Sequence, residues 1–261
     1  MAWIITIGLA LAVAAAGLYL LLGVAIIVTA LVERRPLKFL DPVEPGDPEW
    51  RRLDGAMESE LGSPPLPDSN PYAAPRTTPY TERQIHGAST LGFSKPLLLK
   101  YFKGKMYRTY NALMVSPSQT TLAVVRWGTT GSIRNELTSL YSALNDGRYL
   151  VTSDRPTGSR APGLYDDRVI LSAAFARLLD RHEARLRAAG DNIRHFRAEN
   201  PLDEYEAILE RRAQFLVEAG DAYWVDSERT AFRSTLKGAF KLYLQTFSTE
   251  HVDQSLVVSA T

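Results

Sequence analysis

The chain has 261 residues, a net charge of +1 and no cysteine. That length admits one or two domains, and the near-neutral balance is not the broad positive excess of a dedicated nucleic-acid binder. Without cysteine there are no disulfides, no thiol nucleophile and no cysteine-ligated zinc or iron–sulfur site.

No residue from Trp3 to Val32 is charged, and only Thr6, Tyr19 and Thr29 bring polar side-chain atoms. About 20 helical residues cross a bilayer core, so the spacing predicts one transmembrane helix, with residues 1–32 as an uncleaved signal anchor. A cleavable signal would have a basic start and a shorter apolar core. Basic residues flank only the C-terminal end, at Arg34, Arg35, Lys38, Arg51 and Arg52. By the positive-inside rule the N-terminus lies outside a cell membrane and the rest is cytoplasmic. Gly8, Ala12 and Ala16 put small residues on one helical face, a pattern that serves helix–helix association, including homo-association, or nothing at all.

Residues 33–92 read as a Pro-rich flexible linker. Ten prolines fall between Pro36 and Pro79, and proline removes backbone donors and breaks regular structure. One amphipathic stretch, residues 48–61, carries Trp50, Leu53, Met57 and Leu61 on a helical face.

Residues 93–248 read as one soluble α+β domain, in one piece or as two halves meeting near residues 154–167, followed by a flexible tail at 249–261. Leu97 to Phe102 fits strand or helix. Tyr107 to Val115 and Thr121 to Trp127 are β-branched and aromatic, joined by turn-forming residues, which predicts a hairpin. Ile133, Leu137, Leu140, Tyr141 and Leu144 recur at helical spacing, with Ser132 as cap and Gly147 as stop, which predicts a helix. A strand over 148–153, a loop over 154–167 and an amphipathic helix over 172–189 follow. Then come a short strand near 193–197, a helix opened by Asn200-Pro201, a hairpin over 222–234 and a last helix capped by Thr235.

One charge asymmetry stands out. Between Arg83 and Asn135 there are eight basic residues and no acidic one, while the stretches on either side are net negative. Lys95, Lys100, Lys103, Lys105, Arg108, Arg126 and Arg134 form the candidate contact set, interleaved with Tyr101, Phe102, Tyr107 and Tyr110. Beside a membrane such a segment suits an anionic leaflet. An acidic protein partner would use the same charges, nucleic acid fits them less well, and lysines on a strand edge also guard against aggregation.

Gly128, Thr129, Thr130, Gly131 and Ser132 lie between a strand and the expected helix, where backbone N–H groups can bind an anion. The stretch lacks the Gly-Lys-Ser/Thr ending of a phosphate loop. Arg155 and Arg160 in the 154–167 loop offer guanidinium forks for phosphate or carboxylate. His182 falls on an apolar helix face, as a satisfied core histidine does. No His-Glu-x-x-His, helical histidine pair or nucleophile elbow occurs, so no metal, cofactor or catalytic residue is expected.

The order helix 201–219, hairpin 222–234, helix 235–247, with the run Phe232-Arg233-Ser234-Thr235-Leu236-Lys237-Gly238, resembles part of a winged-helix module. That resemblance covers under fifty residues and implies a DNA- or protein-binding surface. Three functions stay open at this point: a non-catalytic membrane-tethered module that binds a partner or the leaflet, a membrane-anchored enzyme for an anionic or phosphorylated substrate, and a nucleic-acid-binding module.

Overall fold

The structure, a computed structural model, describes residues 7, 13, 17, 20, 21, 23–38, 40–43, 78–103, 107–130, 133–156 and 161–246. In chain order its elements are α1 (23–32), β1 (Arg35–Pro36), β2 (Asp41–Pro42), α2 (Pro79–Thr90), β3 (Leu97–Lys103), β4 (Tyr107–Val115), β5 (Leu122–Thr130), β6 (Ile133–Leu144), β7 (Tyr149–Ser153), β8 (Tyr165–Val169), α3 (Phe175–Ala189), β9 (Ile193–Arg194), α4 (Pro201–Glu218), β10 (Ala222–Trp224), β11 (Ala231–Ser234) and α5 (Leu236–Thr246). This is a mixed α+β fold. It divides into a larger unit (Lys38–Thr157, Pro162–Ile208 and Glu250–Thr261) and a smaller one (Met1–Leu37, Gly158–Ala161 and Leu209–Thr249).

The larger unit is built on one sheet in the order β2-β3-β4-β5-β6-β7-β8. Its ladders are antiparallel except for β7–β8. Where β5 ends, β9 continues the pairing along β6. Side chains alternate between the two faces of a strand. Leu98, Tyr110, Ala112, Met114, Ala123, Val125, Trp127 and Leu140 fall on one face and form a core with Ile85 and Ala88 of α2 and Phe175 and Leu178 of α3. The opposite face carries buried Leu99, Leu113, Leu122 and Val124 and meets the first turns of α4, where the ring of Tyr205 lies 6.2 Å from that of Tyr141.

Two expectations are corrected here. Residues 133–144 are not a helix but the strand β6. Thr138, Ser139 and Ser142, which supplied the polar side of the helical pattern, are at most 1 % exposed. The helical period arose because this central strand carries buried hydroxyls, which a periodicity argument counts as solvent-facing. Residues 79–90, assigned to the linker, form α2 and supply the core, so the folded body takes in part of the stretch read as flexible. Thr78 caps α2 by accepting from the Thr81 N–H, and Pro79 opens its first turn, where a missing N–H costs nothing.

In the smaller unit β1, β11 and β10 form an antiparallel sheet in that order. Phe232, Ala222 and Ala213 are its core, with Leu37, Leu216, Val217 and Trp224 against them. The hairpin and the last helix fall where the sequence predicts. Thr235 accepts from the Gly238 N–H and so caps α5. The span expected over residues 3–32 and most of the Pro-rich linker lie largely outside the described residues. Among those described, no helix is long and apolar enough to cross a membrane.

Candidate anion-contact surface

The ladders decide which basic residues meet. Phe102 pairs with Arg108, Arg108 with Thr129, and Thr129 with Arg134. These four residues make one row across β3, β4, β5 and β6, on the sheet face that also bears α2 and α3. With strands about 4.8 Å apart, the backbones of Arg108 and Arg134 stand roughly 10 Å from one another. The next row is Lys100, Tyr110, Trp127 and Glu136. The two rows lie at the end of the sheet where β3 runs into β4 and β5 into β6.

Aromatic rings form the floor. Tyr110 stacks on Trp127 with centroids 5.5 Å apart, and Phe102 meets Tyr110 edge-on at 5.4 Å. The Arg108 guanidinium lies 5.6 Å from the Phe102 centroid. That cation–π contact holds the charge over a ring that is itself 43 % exposed. Glu136, the acid within these rows, is in an ion pair with Arg155 at 3.7 Å. Lys100 stands opposite Asp41 of β2, so part of its charge is balanced. Arg108 and Arg134 are the two basic residues of the first row.

Other members of the predicted set are not part of these two rows. Arg126 is on the opposite face, where its Nε donates to Asn111 Oδ1 at 2.8 Å and its NH2 to the Tyr205 hydroxyl at 2.9 Å. It ties α4 to the sheet. Lys95 precedes β3 at the far end, and Lys103 is the last residue of β3. Lys105, Gly131, Ser132 and Arg160 lie outside the described residues. Gly128, Thr129 and Thr130 belong to β5, and the next element is a strand, so the helix N-terminus on which the anion-turn expectation rested is not there. A Cβ on Gly128 would stand 2.3 Å from the Arg108 carbonyl oxygen. The glycine is required by the close approach of two strands.

Arg155 joins a second cluster. Its guanidinium lies 5.3 Å from the Tyr80 ring centroid. The Tyr80 hydroxyl donates to Asp154 and lies 2.9 Å from Thr138 Oγ1. The Thr138 N–H donates to the other Asp154 oxygen at 2.7 Å. Asp154 is fully buried, and burial pushes its carboxyl above the usual range. Both oxygens are spent on α2 and β6, so the carboxylate braces the fold.

Sequence reasoning missed a polar chain around His182. Ser142 Oγ donates to the Thr120 carbonyl at 2.5 Å, and His182 Nε2 lies 2.8 Å from Ser142 Oγ. Thr152 Oγ1 lies 2.9 Å from His182 Nδ1 and accepts from Arg185 NH1 at 2.8 Å. A hydroxyl has one proton to give. With that of Ser142 committed to a carbonyl, His182 must donate from Nε2 and accept at Nδ1 from Thr152. Burial, with Arg185 adding to it, lowers the imidazole to about 3. A serine beside a histidine suggests a nucleophile and its base, but this hydroxyl is turned away and this imidazole is not basic. Among the described residues no group of three or more His, Asp or Glu can hold a metal ion.

No known protein family, curated protein or solved structure matches this chain. The winged-helix resemblance therefore stands on the order of elements alone.

Proposed function

We propose that this chain is a non-catalytic, membrane-tethered module. Residues 1–32 anchor it with the N-terminus outside, and the sheet end bearing Arg108 and Arg134 contacts the anionic cytoplasmic leaflet. The observation that carries this reading is the shared row of Phe102, Arg108, Thr129 and Arg134. It sets two arginines and an exposed aromatic ring at one edge, as lipid phosphates with an adjoining apolar layer require. The enzyme alternative gains no support, because Gly128 serves strand packing and the buried hydroxyl–imidazole chain is closed.

The test uses the whole chain reconstituted into neutral vesicles and into vesicles containing phosphatidylserine. An environment-sensitive dye is placed on Thr129→Cys, a unique thiol in a cysteine-free chain. A blue shift is expected only with the anionic lipid, and added salt reverses it by screening. Equal spectra in the two membranes overturn the leaflet contact.

A further inference from the structure

The last helix of the smaller unit leaves an apolar row uncovered. Leu236, Phe240 and Leu244 are 67 %, 51 % and 54 % exposed, and their four-residue spacing aligns them along one side of α5. On the opposite side of the helix, Gly238 lies against the Asp221 backbone, where a Cβ would clash. Lys237 and Lys241 border the row, both paired with Asp221, at 3.2 and 2.7 Å. Water contact on three large apolar side chains in line is what a monomeric soluble surface avoids.

A contact within the same unit indicates the occupant. A Cβ on Gly23 would lie 2.8 Å from the Tyr243 ring, so α1 and α5 touch where glycine makes room. Tyr243 lies on the flank of α5 opposite the lysines. The side of α1 away from the unit is apolar too, with Val24, Val28 and Val32 exposed. The uncharged run from Trp3 to Val32 exceeds the roughly 20 residues a bilayer needs by about ten. Taking residues 3–22 as the span would put residues 23–32 at the membrane boundary, with α5 beside them through the Gly23–Tyr243 contact.

We infer that α5 is an in-plane membrane helix, with Leu236, Phe240 and Leu244 in the boundary between headgroups and acyl chains and the lysines along its wet edge. The inference rests on the anchoring of residues 3–32. It adds a second membrane contact, one that needs no anionic lipid.

The experiment reconstitutes the full chain in phosphatidylcholine vesicles and reads a nitroxide on a single introduced cysteine. Phe240→Cys is the test position, Leu236→Cys and Leu244→Cys repeat it, Val13→Cys reports the anchor and Glu228→Cys reports water. The expected result is a shift at 236, 240 and 244 toward collision with oxygen over a water-soluble nickel reagent, relative to 228. Water-like collision at 240 with lipid-like collision at 13 overturns the in-plane helix and leaves the anchor standing. Water-like collision at 13 overturns both. Shielding of 240 from both reagents also overturns the proposal. If spin–spin broadening accompanies it, a second copy covers the row; without broadening, the chain itself does. An unchanged thermal melt for each labelled variant shows that the fold is intact.

Discussion

Thr152 gives its hydroxyl proton to Nδ1 of His182 across 2.9 Å, and a protonated ring cannot accept it. The imidazole is lowered to about 3 by burial and returns to about 6.5 when the chain unfolds. Below pH ~6.5 the unfolded state binds a proton that the folded state refuses, so stability falls as pH falls. The contribution is full above the unfolded value and is lost by about 1.4 kcal/mol per pH unit down to the folded one. Urea unfolding at pH 7 and pH 5 is expected to differ by about 2 kcal/mol from this group. His182→Gln, which cannot titrate, removes that share of the slope. An identical slope in the variant refutes the assignment.

Ser142 passes the chain on to the Thr120 carbonyl, so Ser142→Ala leaves the His182 Nε2–H buried with no acceptor. An unmet buried donor costs about 1–3 kcal/mol. The drop in the urea midpoint is expected to reach that size without a change in denaturant slope. A loss of only a few tenths of a kcal/mol means that the tautomer is the other one.

Arg108 and Arg126 lie in adjacent strands of the same basic segment yet have opposite roles. Arg108→Ala and Arg134→Ala are each expected to weaken binding to anionic vesicles by about 1 kcal/mol, and the pair by roughly 30-fold. Arg126→Ala leaves the Asn111 carbonyl oxygen and the Tyr205 hydroxyl without their partner. Its effect is expected in unfolding, at about 1–3 kcal/mol. Comparable vesicle losses from Arg126→Ala and Arg108→Ala mean that affinity follows total charge and not the sheet's register.

Much of this was legible in the sequence for a physical reason. The β4–β5 hairpin, α3, α4, the second hairpin and α5 each carry an unambiguous period bounded by turn or cap residues, and those local signals agree with the tertiary structure. In β6 they conflict. Thr138 and Ser142 are polar and buried, and the partners brought by α2 and α3, Tyr80 and His182, make that tolerable. No window of sequence contains those partners. α2 was hidden in the same way, by its position at the end of a proline-rich stretch. The basic segment was visible as composition. Which of its residues meet depends on strand parity, so Arg126 became a strut and Arg108 and Arg134 a surface.

Gly128 separates the two roles that its neighbourhood suggested. As part of an anion-binding turn, Gly128→Ala would weaken anion binding and leave the fold alone. In the sheet, the added Cβ meets the Arg108 carbonyl oxygen at 2.3 Å and the Thr109 Cα at 2.7 Å. Both are backbone atoms in a ladder held on either side, so neither can swing away as a side-chain tip can. Relief requires β4 and β5 to part, which loosens the row that positions Arg108 over Phe102. Overpacking of this kind costs about 1–3 kcal/mol or more. A thermal melt is therefore expected to fall by several degrees, with anionic-vesicle binding lost only to the extent that folded protein is lost. Normal thermal stability combined with weakened anion binding would restore the turn as the site.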